Sequence, residues 1–84
     1  MLTNQEITSV VETAFQPFRA AAEIWGLNRQ LRFRVFGPDD RRIVEVPRVT
    51  LRAVRDKHKL SAEISLVRRY IEARGFKLEP WSLQ

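Results

Sequence analysis

Residues 31–36 constrain the fold most strongly, because apolar and polar side chains alternate there from Leu31 to Val35, before Phe36. Successive side chains of a strand point to opposite faces, so Leu31, Phe33 and Val35 share one face. The arginines between them and Phe36 share the other face. This period of two predicts a half-buried strand whose aliphatic face is covered by a helix.

Two neighbouring segments also have strand character. The strands are predicted at residues 20–25, 31–36 and 42–46. Pro47 is expected to end the third strand, because proline has no N–H to donate to a ladder. The connections Gly26-Leu27-Asn28 and Gly37-Pro38-Asp39-Asp40 are rich in turn-forming residues. The pattern therefore predicts a three-stranded antiparallel meander.

A helix is predicted to precede the sheet. Thr3 and Glu6 have the spacing of a capping box, in which each side chain accepts a hydrogen bond from the other residue's backbone N–H. Pro17 disfavours helical geometry at Gln16, so the helix is expected to end there. Apolar residues recur along it at helical spacing and are expected to face the core: Ile7, Val10, Val11, Ala14, Phe15 and Phe18.

The last helix is predicted to begin at Ser61, a favourable N-cap residue, and to end at Gly75, which suits the left-handed position after a helix. Its inward face is expected to comprise Ile64, Val67 and Ile71, widened by Leu66, Tyr70 and Ala73. Between Pro47 and this helix, Thr50 is expected to cap a short helical turn. Residues 76–79 alternate briefly, which predicts a short fourth strand.

These elements predict a single α+β domain over residues 1–84, a two-layer sandwich in the order α-β-β-β-(α)-α. A chain of 84 residues can bury one modest core. It contains no cysteine, so packing has to supply its stability. The first twenty residues lack the pattern of a signal peptide, and no apolar run is long enough to span a bilayer. We therefore expect a cytoplasmic protein without membrane contact.

Residues with catalytic chemistry are few. His58 is the single histidine and lies between two lysines in a predicted loop, while Ser61 is explained by its role as a cap. Asp39 and Asp40 fit a hairpin turn. The three glycines are too widely spaced to form a phosphate-binding loop, and no residues have metal-ligand spacing. The sequence therefore predicts neither an enzyme nor a cofactor or metal.

The outer face of the sheet is the first candidate binding surface. It is expected to carry Trp25, Arg32, Arg34 and Phe36. Aromatic residues and arginine are enriched in protein interfaces, so this face predicts a noncatalytic module that binds a protein partner or forms a homodimer. The alternative is structural: the arginines pair with Glu23 or Glu45 across the strands, and residues 76–81 cover the aromatic rings.

The middle of the chain provides the second candidate surface. Residues 29–59 carry a net charge of +6, within a total of +5 for the chain. Five basic residues cluster near the end of this segment: Arg48, Arg52, Arg55, Lys57 and Lys59. Concentrated cations attract phosphates, so RNA or DNA binding is the alternative function. It is less favoured than a protein partner, because a solvated surface accounts for the same charges.

The order of helix, three antiparallel strands and helix resembles that of double-stranded-RNA-binding domains, and the positive charge agrees with the comparison. That family has lysines at the start of its last helix and a Gly-Pro-His loop between strands. Here the last helix is expected to open with Ser61-Ala62-Glu63, and Gly37-Pro38 is followed by two aspartates. The likeness lies in element order alone, from which function does not follow.

Overall fold

The computed structural model describes residues 1–27 and 29–83. The elements are α1 (Asn4–Thr13), β1 (Arg19–Trp25), β2 (Gln30–Phe36), β3 (Arg42–Thr50), α2 (Leu51–Val54) and α3 (Lys57–Ala73). The strands form one antiparallel sheet in the order β1-β2-β3. The predicted α+β architecture, with a helix, three strands and two further helices, is therefore confirmed.

The capping box at the start of α1 is also confirmed. The Glu6 backbone N–H donates to Thr3 Oγ1 at 3.1 Å, and the Thr3 backbone N–H donates to Glu6 Oε1 at 2.9 Å. The second bond lowers the pKa of the Glu6 carboxyl, because it stabilises the carboxylate form. α1 ends at Thr13, slightly before the expected position. Its last turn leads into the buried pair Ala14 and Phe15.

The central strand β2 alternates as predicted. Leu31, Phe33 and Val35 are buried, whereas the residues between them are half-buried on the opposite face. Phe33 stacks on Phe15, with ring centroids 5.8 Å apart. Leu60 and other apolar residues of α3 join the same core. One face of the sheet is thus covered by helices, and the other is left for the solvent.

β3 continues through Pro47 to Thr50, so the expected end of this strand at Pro47 is wrong. β3 is an edge strand, and one side of an edge strand needs no ladder partner. The pairing with β2 also shifts here, so that Pro47 and Arg48 lie opposite the single residue Arg32. A bulge of this kind accommodates a residue that has no N–H.

The expected N-cap of the last helix at Ser61 is wrong as well. α3 begins at Lys57, and Asp56 is its N-cap. The Asp56 carboxylate accepts hydrogen bonds from the backbone N–H groups of His58 at 2.9 Å and Lys59 at 3.1 Å. An aspartate that accepts hydrogen bonds from two unpaired N–H groups stabilises a helix that begins directly after it, so α3 begins at Lys57. Ser61 therefore lies inside α3, and His58 is on its first turn rather than in a loop.

The inward face of α3 is narrower than expected. Its buried residues are Leu60, Ile64 and Ile71. Leu66 and Tyr70, which were expected to widen this face, are 58% and 52% exposed, and Ala73 is exposed too. Leu66 follows Ile64 by two positions, which is a rotation of about 200° around a helix. A row centred on Ile64 therefore cannot include Leu66.

The end of α3 has the predicted geometry. Gly75 adopts a φ of +96°, its N–H donates to the Glu72 carbonyl at 3.0 Å, and the Phe76 N–H donates to the Ile71 carbonyl at 3.4 Å. These are the two hydrogen bonds of a Schellman motif. The chain then turns back towards α1, because the left-handed glycine reverses its direction.

Residues 76–83 do not form the expected fourth strand. They pack as an extended segment against the core, with the Phe76 ring edge-on to Phe18 at 5.7 Å. Arg68 holds this segment: it donates to the Ala14 carbonyl at 2.5 Å and to the Glu79 carbonyl at 2.6 Å. The Glu79 N–H donates to the Gln16 carbonyl at 2.9 Å. The segment thus bonds to the turn after α1, which offers no strand to extend.

We expect the change Arg68→Ala to release this segment and to lower the free energy of unfolding by about 1–3 kcal/mol, since hydrogen bonds from a charged group are lost. Hydrogen exchange at the Glu79 amide should accelerate. Chemical denaturation and amide exchange measure the two effects. Arg69→Ala, at an exposed neighbouring position, is the control and should change stability by less than about 0.5 kcal/mol. Unchanged hydrogen exchange at the Glu79 amide in the Arg68 variant would show that Arg68 does not hold this segment.

Candidate functional site

The outer sheet face brings its predicted residues together. Arg32, Arg34 and Phe36 alternate with the core residues of β2, and Trp25 lies on the same face through the pairing of Glu23 with Arg32. None of the four is buried. The four residues predicted for this surface therefore share one face of the sheet.

The arginines of this face are paired with carboxylates. Arg32 forms an ion pair with Glu23, which lies directly opposite on β1. Arg34 Nε lies 3.0 Å from Glu45 Oε2 on β3, and Arg42 lies 3.1 Å from the other oxygen of Glu45. The hydrogen bond from Arg34 lowers the pKa of the Glu45 carboxyl. The charges of the outer face largely neutralise one another.

The aromatic rings of this face are covered by arginines rather than by the C-terminal segment. The guanidinium carbon of Arg19 lies 4.1 Å from the Phe36 ring centroid, and that of Arg32 lies 5.7 Å from the Trp25 ring. Trp25 remains 39% exposed. The expected cover by residues 76–81 is wrong, because Arg68 directs that segment along the helices.

A second surface forms where β3 leads into α2 and α3. We call it the basic corner, and it consists of Arg48, Arg52, Lys57 and Lys59. Arg48 lies on β3, Arg52 on α2, and the two lysines on the first turn of α3. All four are exposed. None of them has an ion pair within residues 1–27 and 29–83.

Two shallow grooves meet at this corner. Arg52 and Lys57 line the first, which passes the start of α1. Arg48 lines the second, between β3 and α3. Lys59 and Ala53 line both grooves, so the basic residues border one continuous depression. The short α2 makes this possible, because its four residues turn the chain from the edge strand directly into α3.

Arg55 was predicted to belong to the same patch but has a different role. It is half-buried and donates to the Leu2 carbonyl at 2.9 Å and to Asn4 Oδ1 at 2.5 Å. The Leu2 N–H in turn donates to the Arg55 carbonyl at 3.1 Å. Arg55 therefore fastens the start of α1 to the end of α2; it lines the first groove, but its guanidinium is already engaged by these two acceptors.

Arg29 is a further basic residue near the corner, and it was not among the residues predicted for the patch. The Arg29 carbonyl accepts a hydrogen bond from the Leu51 N–H at 2.9 Å, which places Arg29 beside the start of α2, and its side chain is exposed. The predicted meander indicates this position of Arg29, because antiparallel pairing places the start of β2 beside the end of β3. Asn28, part of the expected turn before it, lies outside the described residues.

The remaining polar residues fulfil structural roles. Asp40 has a φ of +64°, and the Asp39 carboxylate accepts the Arg41 N–H at 3.1 Å, as expected of a turn. His58 and Ser61 lie one turn apart on α3. In the described part of the chain, no group of three or more His, Asp or Glu side chains is placed to hold a metal ion. None of the described helices is long and apolar enough to cross a membrane.

No protein-family model, curated protein or solved structure matches this chain. Its own geometry is therefore the basis for a functional interpretation. The earlier start of α3 bears on the resemblance in element order to double-stranded-RNA-binding domains. Lys57 and Lys59 lie at the beginning of the last helix, whereas Gly37-Pro38 is followed by two aspartates.

Asp56, the N-cap of α3, makes the stability of the fold depend on pH. Hydrogen bonds from the backbone N–H groups of Lys59 and His58 lower the pKa of Asp56 from its ordinary value of 3.8. A carboxyl with a lowered pKa contributes stability above its unfolded-state pKa and loses that contribution as pH falls through the folded-state pKa. We expect Asp56→Ala to lower Tm near neutral pH, and the difference from the parent chain to shrink below pH 3.8.

Thermal unfolding followed by circular dichroism across this pH range measures the effect of the Asp56 change. Glu72→Ala removes one exposed carboxylate from the other end of the same helix and is the control. An Asp56 effect that persists unchanged in acid would show that the carboxylate charge does not support the cap.

Proposed function

We propose that this chain binds the phosphate backbone of nucleic acid through the basic corner. One observation carries the proposal: the fold collects exposed cations from β3, α2 and α3 at one place, and in the described residues none of them forms an ion pair with Asp56 or Glu63, the carboxylates that also line the grooves. On the outer face, by contrast, the arginines are engaged by Glu23 and Glu45. Electrostatic attraction for an anion is therefore concentrated at the corner.

The shape of the corner favours an extended polyanion over a small anion. Lys59 borders both grooves, with Arg48 on one and Arg52 and Lys57 on the other, so the cations are spread over two adjoining grooves rather than gathered in a single pocket. Phosphates repeat along a nucleic-acid backbone, and each cation that neutralises one releases a condensed counterion. The corner contains no aromatic ring to stack on a base and no buried polar group to read one. The proposed binding is therefore independent of base sequence.

The test compares two variants with the same net charge. Arg52→Ala/Lys57→Ala/Lys59→Ala alters the corner, and Arg41→Ala/Arg69→Ala/Lys77→Ala removes three exposed cations elsewhere. We expect the corner variant to bind mixed oligonucleotides at least tenfold more weakly at about 50 mM salt. Its plot of log K against log salt should be shallower by about 0.7 to 0.9 per lost phosphate contact.

The elsewhere-altered variant should remain within about threefold of the parent chain under the same conditions. Fluorescence anisotropy with labelled RNA and DNA measures both variants. Equal losses in the two variants would show that overall charge, and not the corner, governs binding. Absence of binding between the parent chain and nucleic acid, even at low salt, would overturn the proposal.

The outer face supports a second proposal, the binding of a protein partner or of another copy of the chain. The exposed part of Trp25 favours it, because a large aromatic ring beside a guanidinium is a frequent interface residue. Trp25→Ser/Phe36→Ser should then lower the fraction of dimer in sedimentation velocity. The basic-corner variant serves as the control and should leave that fraction unchanged. Dimers that persist in the Trp25/Phe36 variant would remove this face from self-association.

A further inference from the structure

Trp25 is joined to the basic corner by backbone contacts. The Arg29 N–H donates to the Trp25 carbonyl at 3.2 Å, and the Arg29 carbonyl accepts from the Leu51 N–H at 2.9 Å. Leu51 is followed on α2 by Arg52, which belongs to the corner. The end of β1 and the start of α2 therefore lie side by side, although they are far apart in the sequence.

The strand pairing also places Trp25 on a row of residues that crosses the sheet to the corner. Trp25 lies opposite Gln30 on β2, and Gln30 lies opposite Thr50 on β3. Residues that are directly paired in antiparallel strands have their side chains on the same face. Thr50 borders the groove that Arg48 and Lys59 line. Because neighbouring strands are about 4.8 Å apart, the Cα atoms of Trp25 and Thr50 are about 10 Å apart.

The Trp25 side chain is partly open to solvent. The residue is 39% exposed, and the Arg32 guanidinium carbon lies 5.7 Å from the ring centroid. Glu23 precedes Trp25 by two positions on the same face, and its carboxylate forms an ion pair with Arg32. An anionic ligand that reaches the ring therefore meets a carboxylate whose charge is already compensated.

Arg29 adds a cation between the Trp25 ring and the corner. Its side chain is exposed, and it forms no ion pair within residues 1–27 and 29–83. A polyanion that leaves the corner towards Trp25 therefore continues to meet positive charge. The combination of a basic groove with an aromatic ring beside it is the arrangement by which proteins bind single strands of nucleic acid.

We infer that the basic corner takes single-stranded nucleic acid, with one base stacked on Trp25 and Arg29 at the phosphate backbone between the ring and the corner. The inference rests on the proposed function, because the corner has to hold the phosphates. A base within a duplex is paired and stacked between its neighbours, so its face is closed to Trp25, whereas an unpaired strand leaves base faces open. Every base has such a face, so stacking adds affinity without reading sequence.

The test removes the ring without changing the charge of the chain. Trp25→Ile keeps an apolar residue of high strand propensity. We expect this variant to bind a single-stranded oligonucleotide of about 12 nucleotides at least fivefold more weakly than the parent chain. Its plot of log K against log salt should keep the parent slope, because no phosphate contact is lost. Its affinity for a duplex of the same sequence should stay within about twofold of the parent value.

Two further variants serve as controls in the same anisotropy titrations. Trp25→Phe retains a stacking ring and should keep part of the lost single-strand affinity. Tyr70→Leu removes an aromatic ring that is 52% exposed on α3, away from the corner, and should bind like the parent chain. Circular dichroism verifies that each variant is folded.

Tryptophan fluorescence measures the stacking directly. The chain has two tryptophans, so Trp81→Phe leaves Trp25 as the single reporter. Its emission should be quenched by the single strand. An abasic strand of the same length has the phosphates but no bases, so it should leave the emission unchanged and should bind the parent and Trp25→Ile chains equally.

Failure of the inference and failure of the proposed function give different results. A parent chain that binds no oligonucleotide at about 50 mM salt would overturn both. If the corner variant binds weakly but Trp25→Ile loses no single-strand affinity, or loses single-strand and duplex affinity equally, the inference alone is wrong. A Trp25→Ile chain that binds strands normally but loses dimers would assign the ring to a protein contact instead.

Discussion

The stacking of Phe33 on Phe15 ties the central strand to the chain that leaves the first helix, and the remaining elements are arranged around this contact. Because Phe33 is flanked by residues that alternate between the two faces, its burial determines which side of β2 meets the helices. A slip of one residue would place arginines in the core. The same contact therefore determines which residues are left to form the outer face.

Each edge of the small sheet is engaged at one point by a side chain from elsewhere in the fold. On β1, the Ala22 N–H donates to Glu12 Oε2 at 3.3 Å, so a side chain of α1 occupies the open edge. On β3, Pro47 lies in a bulge, and Arg74 donates to the Ile43 carbonyl at 2.6 Å. Charged side chains, prolines and bulges are the means by which proteins protect strand edges. Addition of a further strand at either edge is therefore disfavoured.

The sequence was most informative where the determining interaction is local. The pair Thr3 and Glu6, the alternation of β2 and the glycine after α3 each specify their structure within a few residues, and all three were predicted. The start of α3 was missed because Ser61 and Asp56 are both acceptable caps, and the choice depends on whether Leu60 can be buried. Pro47 was misjudged because its tolerance depends on being at a sheet edge and in a bulge, which are tertiary facts.

The candidate surfaces were predictable to a similar degree. Four of the five basic residues assigned to one patch do meet at the corner, but Arg55 is recruited by backbone and side-chain acceptors near the start of α1, from the other end of the sequence. Likewise, the outward direction of Leu66 follows from the helical angle relative to Ile64, which requires the correct inward row first. Residue types indicated the surfaces, whereas partners distant in sequence decided how each charge and ring is used.

The hydrogen bonds donated by Arg68 affect which substitutions this chain can tolerate. Arg68 grips the carbonyl oxygens of Ala14 and Glu79, and every amino acid has a carbonyl. The attachment at residue 79 therefore runs through the backbone, so it tolerates any side chain at that position except proline, which has no N–H to donate to the Gln16 carbonyl. Position 79 is therefore expected to tolerate substitution, whereas position 68 is not.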